Sequence, residues 1–185
     1  MEKNISIFVF LVLAIALLYA CSPNPKVANT SYDVKKAEAR ISSATSELGD
    51  TLKKVTKSED EWKEQLTKEE YYVLRKAGTE RAFTGDLWDN KKEGVYTCAG
   101  CNLPLFDSST KYKSGTGWPS YYQPIKEEHI GNDTDQNLGY TRNEVHCARC
   151  DGHLGHVFND GPAPTGLRYC INSVSLNFVE DKDKK

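Results

Sequence analysis

Two pairs of cysteines with the same spacing are the first chemistry visible in this 185-residue sequence. Cys98-Ala-Gly-Cys101 and Cys147-Ala-Arg-Cys150 are separate C-x2-C knuckles with 45 residues between them. Two sulfurs presented from one tight turn supply half of a tetrahedral shell, so two knuckles form a four-cysteine site for one structural zinc ion. Four thiolates would close that shell and leave the metal no open position for catalysis. The competing reading makes each pair a redox disulfide, which an oxidising compartment would favour. Such C-x-x-C centres usually sit at the end of a βαβ element, and no βαβ alternation is present here.

The remaining cysteines separate by subtraction. Six are present; four belong to the knuckles and Cys21 lies at the end of an apolar leader, which leaves Cys170. It sits in Arg168-Tyr169-Cys170-Ile171-Asn172. Alternate residues of a strand share a face, so Arg168, Cys170 and Asn172 point one way. A guanidinium on that face favours a thiolate, and a lone thiol with histidines elsewhere is a candidate nucleophile. A buried structural cysteine is the plainer alternative. Directly after the second knuckle, Gly152-His153-Leu154-Gly155-His156-Val157-Phe158-Asn159-Asp160 holds two of the four histidines. Histidine titrates near neutrality, so this pair reads as proton donors. Ligation is the other use of such spacing, but four thiolates already fill the tetrahedron. His129 and His146 lack that context and read as surface or strand residues. Trp118 stands on a loop flanked by Gly115 and Gly117. There it either packs into the core or walls an apolar pocket.

These residues need elements to position them. Ser58-x-x-Glu61 and Thr67-x-x-Glu70 are capping boxes, each opening a short helix, the second ending at Gly78. Beyond that point Gly, Pro, Asn and Asp punctuate short aromatic and β-branched runs: 94–97, 139–145 and 167–179. This is an all-β pattern with turn signals. In the last run the apolar phase reverses near Ser173, which calls for a bulge or sharp twist, or a strand passing from a cleft into the core.

The chain before residue 58 has a different character. Residues 5–20 are apolar except for Ser6, too short a run for the roughly 20 residues of a membrane span. Leu18-Tyr19-Ala20-Cys21 resembles a lipobox, so residues 1–20 read as a lipoprotein signal peptide and Cys21 as the lipidated first residue. An uncleaved anchor is the alternative; either tethers the protein on the exported side of a membrane. Residues 21–57 then form the lipidated N-terminus, a Pro-containing linker over 22–31 and an apolar rhythm over 34–55 that reads as a spacer helix or short coiled-coil stalk. The folded domain spans 58–180, and 181–185 are a charged tail. A formal net charge of −2 gives no basic field for nucleic acid. The only methionine is Met1, so the mature chain would hold none for an oxidant to damage.

The segments around Trp62, Gly94–Ile125, EVHCARCDGHLGHVFNDGP and RYCINSVSL, in that order, resemble the peptide-methionine (R)-S-oxide reductases. The resemblance covers about residues 58–180. It implies a mainly β fold of two antiparallel sheets with short N-terminal helices, stapled by one Zn2+ on Cys98, Cys101, Cys147 and Cys150. It implies Cys170 as the attacking thiolate, with Trp118, His153, His156, Asp160, Arg168 and Asn172 at the family's pocket positions and Phe158 beside them. Trp118 would hold the substrate methyl group, a histidine would protonate the sulfoxide oxygen, and Asn172 and Asp160 would orient water and the histidines. The substrate would be methionine-R-sulfoxide in oxidised proteins or peptides, and the electron source a thioredoxin-like or small thiol. Many family members carry a resolving cysteine in the loop where this chain has Thr116, so a cycle with one cysteine is expected here. Readings from other classes are an exported, zinc-stabilised β binding module and a dithiol oxidoreductase built on the C-x2-C pairs.

Overall fold

The computed structural model describes residues 35, 38–40, 42, 43, 46, 52–135 and 142–181. The leader, Cys21, the 22–31 linker, most of the 34–55 rhythm and the end of the charged tail lie outside the described residues. Among the described residues no helix is long and apolar enough to cross a membrane.

Both capping boxes form. The α1 helix, Glu59–Gln65, is opened by Ser58, whose hydroxyl accepts from the Glu61 N–H while the Glu61 carboxylate accepts from the Ser58 N–H. Thr67 and Glu70 do the same for α2, Lys68–Lys76. Each box satisfies two of the amide groups that a helix start leaves open. The end of α2 departs from expectation: Ala77 takes the left-handed conformation, with φ 52°, and the Gly78 N–H closes on the Tyr72 carbonyl. The helices bury Trp62, Val73 and Leu74.

The rest is antiparallel β, in two sheets. In one, β2 (Pro104–Asp107), β1 (Gly94–Cys98) and β9 (Leu176–Glu180) lie in the order β2-β1-β9. The other has the order β3-β4-β8-β7-β6-β5, from β3 (Lys111–Tyr112), β4 (Ser120–Tyr121), β5 (Ile130–Asp135), β6 (Arg142–Cys147), β7 (His153–Phe158) and β8 (Arg168–Ile171). Aromatic rings join them. Phe106 of the small sheet stacks on Tyr121 of the large one at 4.3 Å, and Tyr96 meets Tyr121 edge-on at 5.2 Å. All three are fully buried, which for Phe106 is about 2–3 kcal/mol of transfer free energy.

The expected run over 167–179 is two strands in different sheets. A 3-10 turn, Ser173–Ser175, separates β8 from β9. It resolves the phase reversal by carrying the chain from the site-bearing sheet to the edge strand of the other, where Leu176 is buried. His129 is not a surface residue: it is 1% exposed, with Nδ1 2.6 Å from the Pro104 carbonyl. His146 lies in β6. Two described residues ahead of α1 also bond to the domain. Arg40 is buried, with bonds of 2.7 Å to Asp107 and 2.8 Å to Asp181, and the Val55 N–H donates to the Arg149 carbonyl.

Candidate functional site

The four knuckle cysteines converge. Their sulfurs all lie within 4.8 Å of one another, and Cys98, Cys147 and Cys150 are buried. The close pairs run between knuckles, Cys98 to Cys150 at 3.6 Å and Cys101 to Cys147 at 3.5 Å. Four sulfurs around a zinc at about 2.3 Å stand about 3.8 Å apart, so the cluster fits that ion. Four thiolates packed this closely repel one another. Hydrogen bonding within the cluster, led by Cys101, holds the Cys98 thiol up, while bonding led by Cys147 pulls Cys101 down. A dication removes that conflict by making four thiolates tolerable together. No cysteine among the described residues is disulfide-bonded.

Strand register builds the second site. Asp133 of β5, Glu144 of β6, His156 of β7, Cys170 of β8, Ser120 of β4 and Tyr112 of β3 are successive cross-strand partners. Directly paired residues share a face, so this row sets His156 beside Cys170. His153 reaches that face by an irregularity. Val145 pairs with Gly155 but His146 pairs with His153, so Leu154 is an extra residue in β7. In a regular strand two residues three apart would face opposite ways. The bulge turns both histidines to one side, with ring centres 5.5 Å apart, edge to face.

Cys170 is partly buried. Burial pushes its thiol above the ordinary value, opposed by the Thr116 hydroxyl, the Arg168 charge and Ser120. Arg168 lowers the thiol pKa, as its place on that face predicts, but the loss of water on burial outweighs it. Thr116 Oγ1 lies 3.8 Å from Cys170 Sγ. Ser114 is 2.8 Å from the Thr116 hydroxyl and accepts from Ser120 at 2.8 Å, which ties the loop to the strand bearing Ser120.

The other candidates fall into two groups. Arg168 makes a two-pronged pair with Asp160, at 2.8 and 2.9 Å, and its guanidinium lies 4.3 Å over the Phe158 ring. Asp160 thus fixes Arg168, and Arg168 holds the Asp160 carboxyl below its usual range. Asn172 is buried and its side chain is spent on backbone: Nδ2 donates to the Leu154 carbonyl at 2.9 Å, and Oδ1 accepts from the Glu80 N–H at 3.1 Å. It therefore braces the histidine bulge. The Trp118 indole donates to the Glu80 carbonyl at 3.2 Å.

Three residues here were invisible in the sequence. Glu80 is 6% exposed; its backbone holds Trp118 and Asn172, and its carboxylate accepts from the Ser173 and Val174 amides at 2.6 and 3.0 Å. Glu144 Oε1 is 2.6 Å from His153 Nδ1. The Tyr112 hydroxyl is buried with no hydrogen-bond partner among the described residues, near enough to Arg168, Asp160 and Cys170 to feel their charges. None belongs to a motif: Glu80 meets Asn172 over 92 residues, Tyr112 arrives by strand register, and Glu144 reaches His153 across the β6–β7 pairing, nine residues away. The one signal available was negative, an acidic residue in the middle of a strand pattern at Glu144.

Comparison with known proteins gives concordant results. Residues 66–180 match the family model described as the SelR domain. The chain is 56% identical over 127 residues to the peptide methionine sulfoxide reductase MsrB of Leptospira interrogans serogroup Icterohaemorrhagiae serovar Lai (strain 56601), covering 69% of this chain and 97% of that protein. It is 58% identical over 133 residues to the MsrB of Methanosarcina barkeri (strain Fusaro / DSM 804), covering 72% and 94%. With the chloroplastic peptide methionine sulfoxide reductase B1 of Arabidopsis thaliana it shares 50% over 169 residues, covering 85% and 80%.

Proposed function

The chain belongs to the peptide methionine sulfoxide reductase B family, and from that premise we propose that Cys170 is the nucleophile with which it works. The protein is an oxidoreductase that returns methionine-R-sulfoxide in proteins to methionine, and its four knuckle cysteines hold a structural zinc. The observation that carries the assignment of Cys170 is its pairing with His156 across β7 and β8, with His153 turned to the same face by the bulge.

The residues then divide the work. Protonating the sulfoxide oxygen from a histidine makes its sulfur open to thiolate attack. Cys170 attacks, the oxygen passes to it, and methionine leaves. The methionine sulfur gains two electrons and the cysteine sulfur loses two, so the product on the enzyme is a sulfenic acid. Trp118, anchored through its indole N–H, offers an apolar wall for the substrate methyl group. Asp160 and Phe158 fix Arg168. Thr116 cannot resolve the sulfenic acid as a cysteine would. Two external thiols regenerate the enzyme instead: the first forms a mixed disulfide and releases water, and the second frees Cys170.

The leader and Cys21 support export and attachment by lipid, with the domain on the outer side of a membrane. Incorporation of radiolabelled fatty acid, lost in Cys21→Ala, tests this. For the chemistry, reduced full-length protein is mixed with a methionine-R-sulfoxide peptide and no added thiol. About one methionine per enzyme is expected, with one oxygen or a trapped adduct on the Cys170 peptide. An intramolecular disulfide to Cys170 would overturn the one-cysteine cycle, and turnover by Cys170→Ser would overturn the nucleophile.

A further inference from the structure

The loop that carries Thr116 and Trp118 also borders a hollow that the reaction leaves unused. It lies between the 83–92 and 108–115 segments and has a volume of about 300 Å3, at the small end of ligand sites. Its wall runs into the catalytic loop. Ser114 and Gly115 line it, Ser114 Oγ is 2.8 Å from Thr116 Oγ1, and Thr116 Oγ1 is 3.8 Å from Cys170 Sγ. An extended chain advances about 3.4 Å per residue, so a polypeptide with its sulfoxide at Cys170 reaches this hollow with residues about two to four positions away.

The first feature of the hollow is aromatic. Phe83 and Trp88 line it, edge to face with ring centres 5.3 Å apart. Phe83 is 56% exposed and takes left-handed backbone, φ 66°, an unfavourable conformation for a bulky residue. The catalytic loop holds it there. The Phe83 N–H donates to the Gly117 carbonyl at 2.8 Å, and a β-carbon at Gly117 would stand 2.7 Å from the Phe83 ring. An exposed ring is thus clasped, under strain, to the residue between Thr116 and Trp118.

The second feature is charge. Lys91, Lys92, Lys111 and Lys113 line the hollow, and Asp89 is the one acidic side chain among its described lining residues. Lys92 pairs with Glu180 at 2.7 Å and Lys91 with Asp89 at 3.5 Å. Lys111 Nζ donates to the Trp88 carbonyl at 2.9 Å, and burial pushes its ammonium below the ordinary value. A carboxylate arriving beside it would replace the water that burial has removed.

We propose that this hollow is a docking subsite for the polypeptide substrate, taking an apolar side chain against Phe83 and Trp88 and an acidic one against Lys111 and Lys113. This reading rests on the assignment of Cys170 and names a substrate class for the same site: oxidised segments with an apolar and an acidic residue on one flank of the methionine sulfoxide, within about four positions.

The test reads selectivity. Zinc-loaded full-length protein is given blocked peptides of one length with a central methionine-R-sulfoxide. The pairs Phe-Glu, Ala-Glu or Phe-Lys stand two to four positions away, on either flank. The second-order rate constant of methionine formation is measured in a single turnover without added thiol. On one flank, Phe-Glu should exceed both Ala-Glu and Phe-Lys by about 3- to 10-fold, the second ratio shrinking at high salt. Asparagine tolerates left-handed backbone, so Phe83→Asn removes the ring without new strain and should bring Phe-Glu within about twofold of Ala-Glu. Lys113→Glu, at an exposed position, should reverse the preference for Phe-Glu over Phe-Lys.

Equal rates for all peptides on both flanks overturn the proposal, as does either ratio surviving in its variant. A loss in Phe83→Asn seen only when a thioredoxin-like reductant limits repeated turnover, with the single-turnover ratios intact, gives the hollow to the reductant and also overturns it. If Phe83→Asn fails to fold, Lys113→Glu carries the test. N-acetyl-methionine-R-sulfoxide is too short to reach the hollow and serves as the reference. Failure of the wild-type protein on that compound overturns the Cys170 assignment instead. Affinities of the matching methionine sulfone peptides, which cannot turn over, then still decide the docking.

Discussion

Gly155 offers a direct test of whether the β7–β8 register makes the catalytic pair. A β-carbon there would stand 2.1 Å from the Cys170 carbonyl oxygen and 3.0 Å from the Ile171 Cα. Real β-carbons essentially never approach within 3.0 Å, so Gly155→Ala must part the two strands by about 1 Å. The displacement falls beside the pair that joins His156 to Cys170. Overpacking of this kind costs about 1–3 kcal/mol, which lowers Tm by about 3–10 °C for a domain of this size. A misplacement of about 1 Å at reacting groups costs about 100-fold in rate. That corresponds to about 2.7 kcal/mol of lost transition-state stabilisation, expressed at 25 °C where the variant is still folded. The control is Gly94→Ala, whose β-carbon would stand 2.2 Å from the Val179 carbonyl, between β1 and β9 of the other sheet. Both variants should lose similar thermal stability. Only Gly155→Ala should lose the rate of methionine formation in a single turnover, with Gly94→Ala within about twofold of wild type. The reasoning is refuted if Gly155→Ala turns over at nearly the wild-type rate despite its lowered Tm, or if Gly94→Ala loses as much activity.

Other outcomes follow from the geometry of the two sites. Because burial holds the Cys170 proton in place, iodoacetamide should alkylate this residue more slowly than an exposed cysteine at neutral pH and accelerate as pH rises through the raised pKa. The folded state keeps that proton more tightly than the unfolded chain, so this group's contribution to stability is lost as pH climbs through the same range. Thr116→Val, which removes an opposing hydroxyl, should slow alkylation further, and an unchanged rate would refute that contact. Thr116→Cys should place a second sulfur within reach of Cys170, so that one turnover ends in a disulfide-linked peptide pair; persistence of the sulfenic acid would count against the loop geometry. Zinc removal by a strong chelator, or Cys98→Ser, should unfold the domain, because about 10–16 kcal/mol of apparent binding energy matches or exceeds a typical net stability of about 5–15 kcal/mol. Retention of native circular dichroism in verified metal-free protein would refute a structural role.

Some of this molecule was written locally in its sequence. A knuckle is a turn of four residues, so the spacing of Cys98 with Cys101 and of Cys147 with Cys150 identified the metal ligands without any knowledge of the fold. The capping boxes at Ser58 and Thr67 were equally legible, since cap and partner are three residues apart. Turn residues around short β-branched runs gave the β class. The candidate roles of Cys170 and the two histidines were read from residue type, and the family resemblance from motif order.

Tertiary structure decided what those groups meet. Pairing register is a property of two strands, so nothing within Gly152–Phe158 tells that Leu154 is an extra residue and that both histidines lie on the sheet face that carries Cys170. The run after Arg168 could not reveal its division between two sheets, because the turn at Ser173–Ser175 is held by Glu80, more than ninety residues earlier. Glu144 and Tyr112 reached the site as cross-strand neighbours, with no motif of their own. Even the direction of the Cys170 pKa needed the fold. A sequence displays the charge of Arg168, but the water that Cys170 loses on burial depends on every element packed around it.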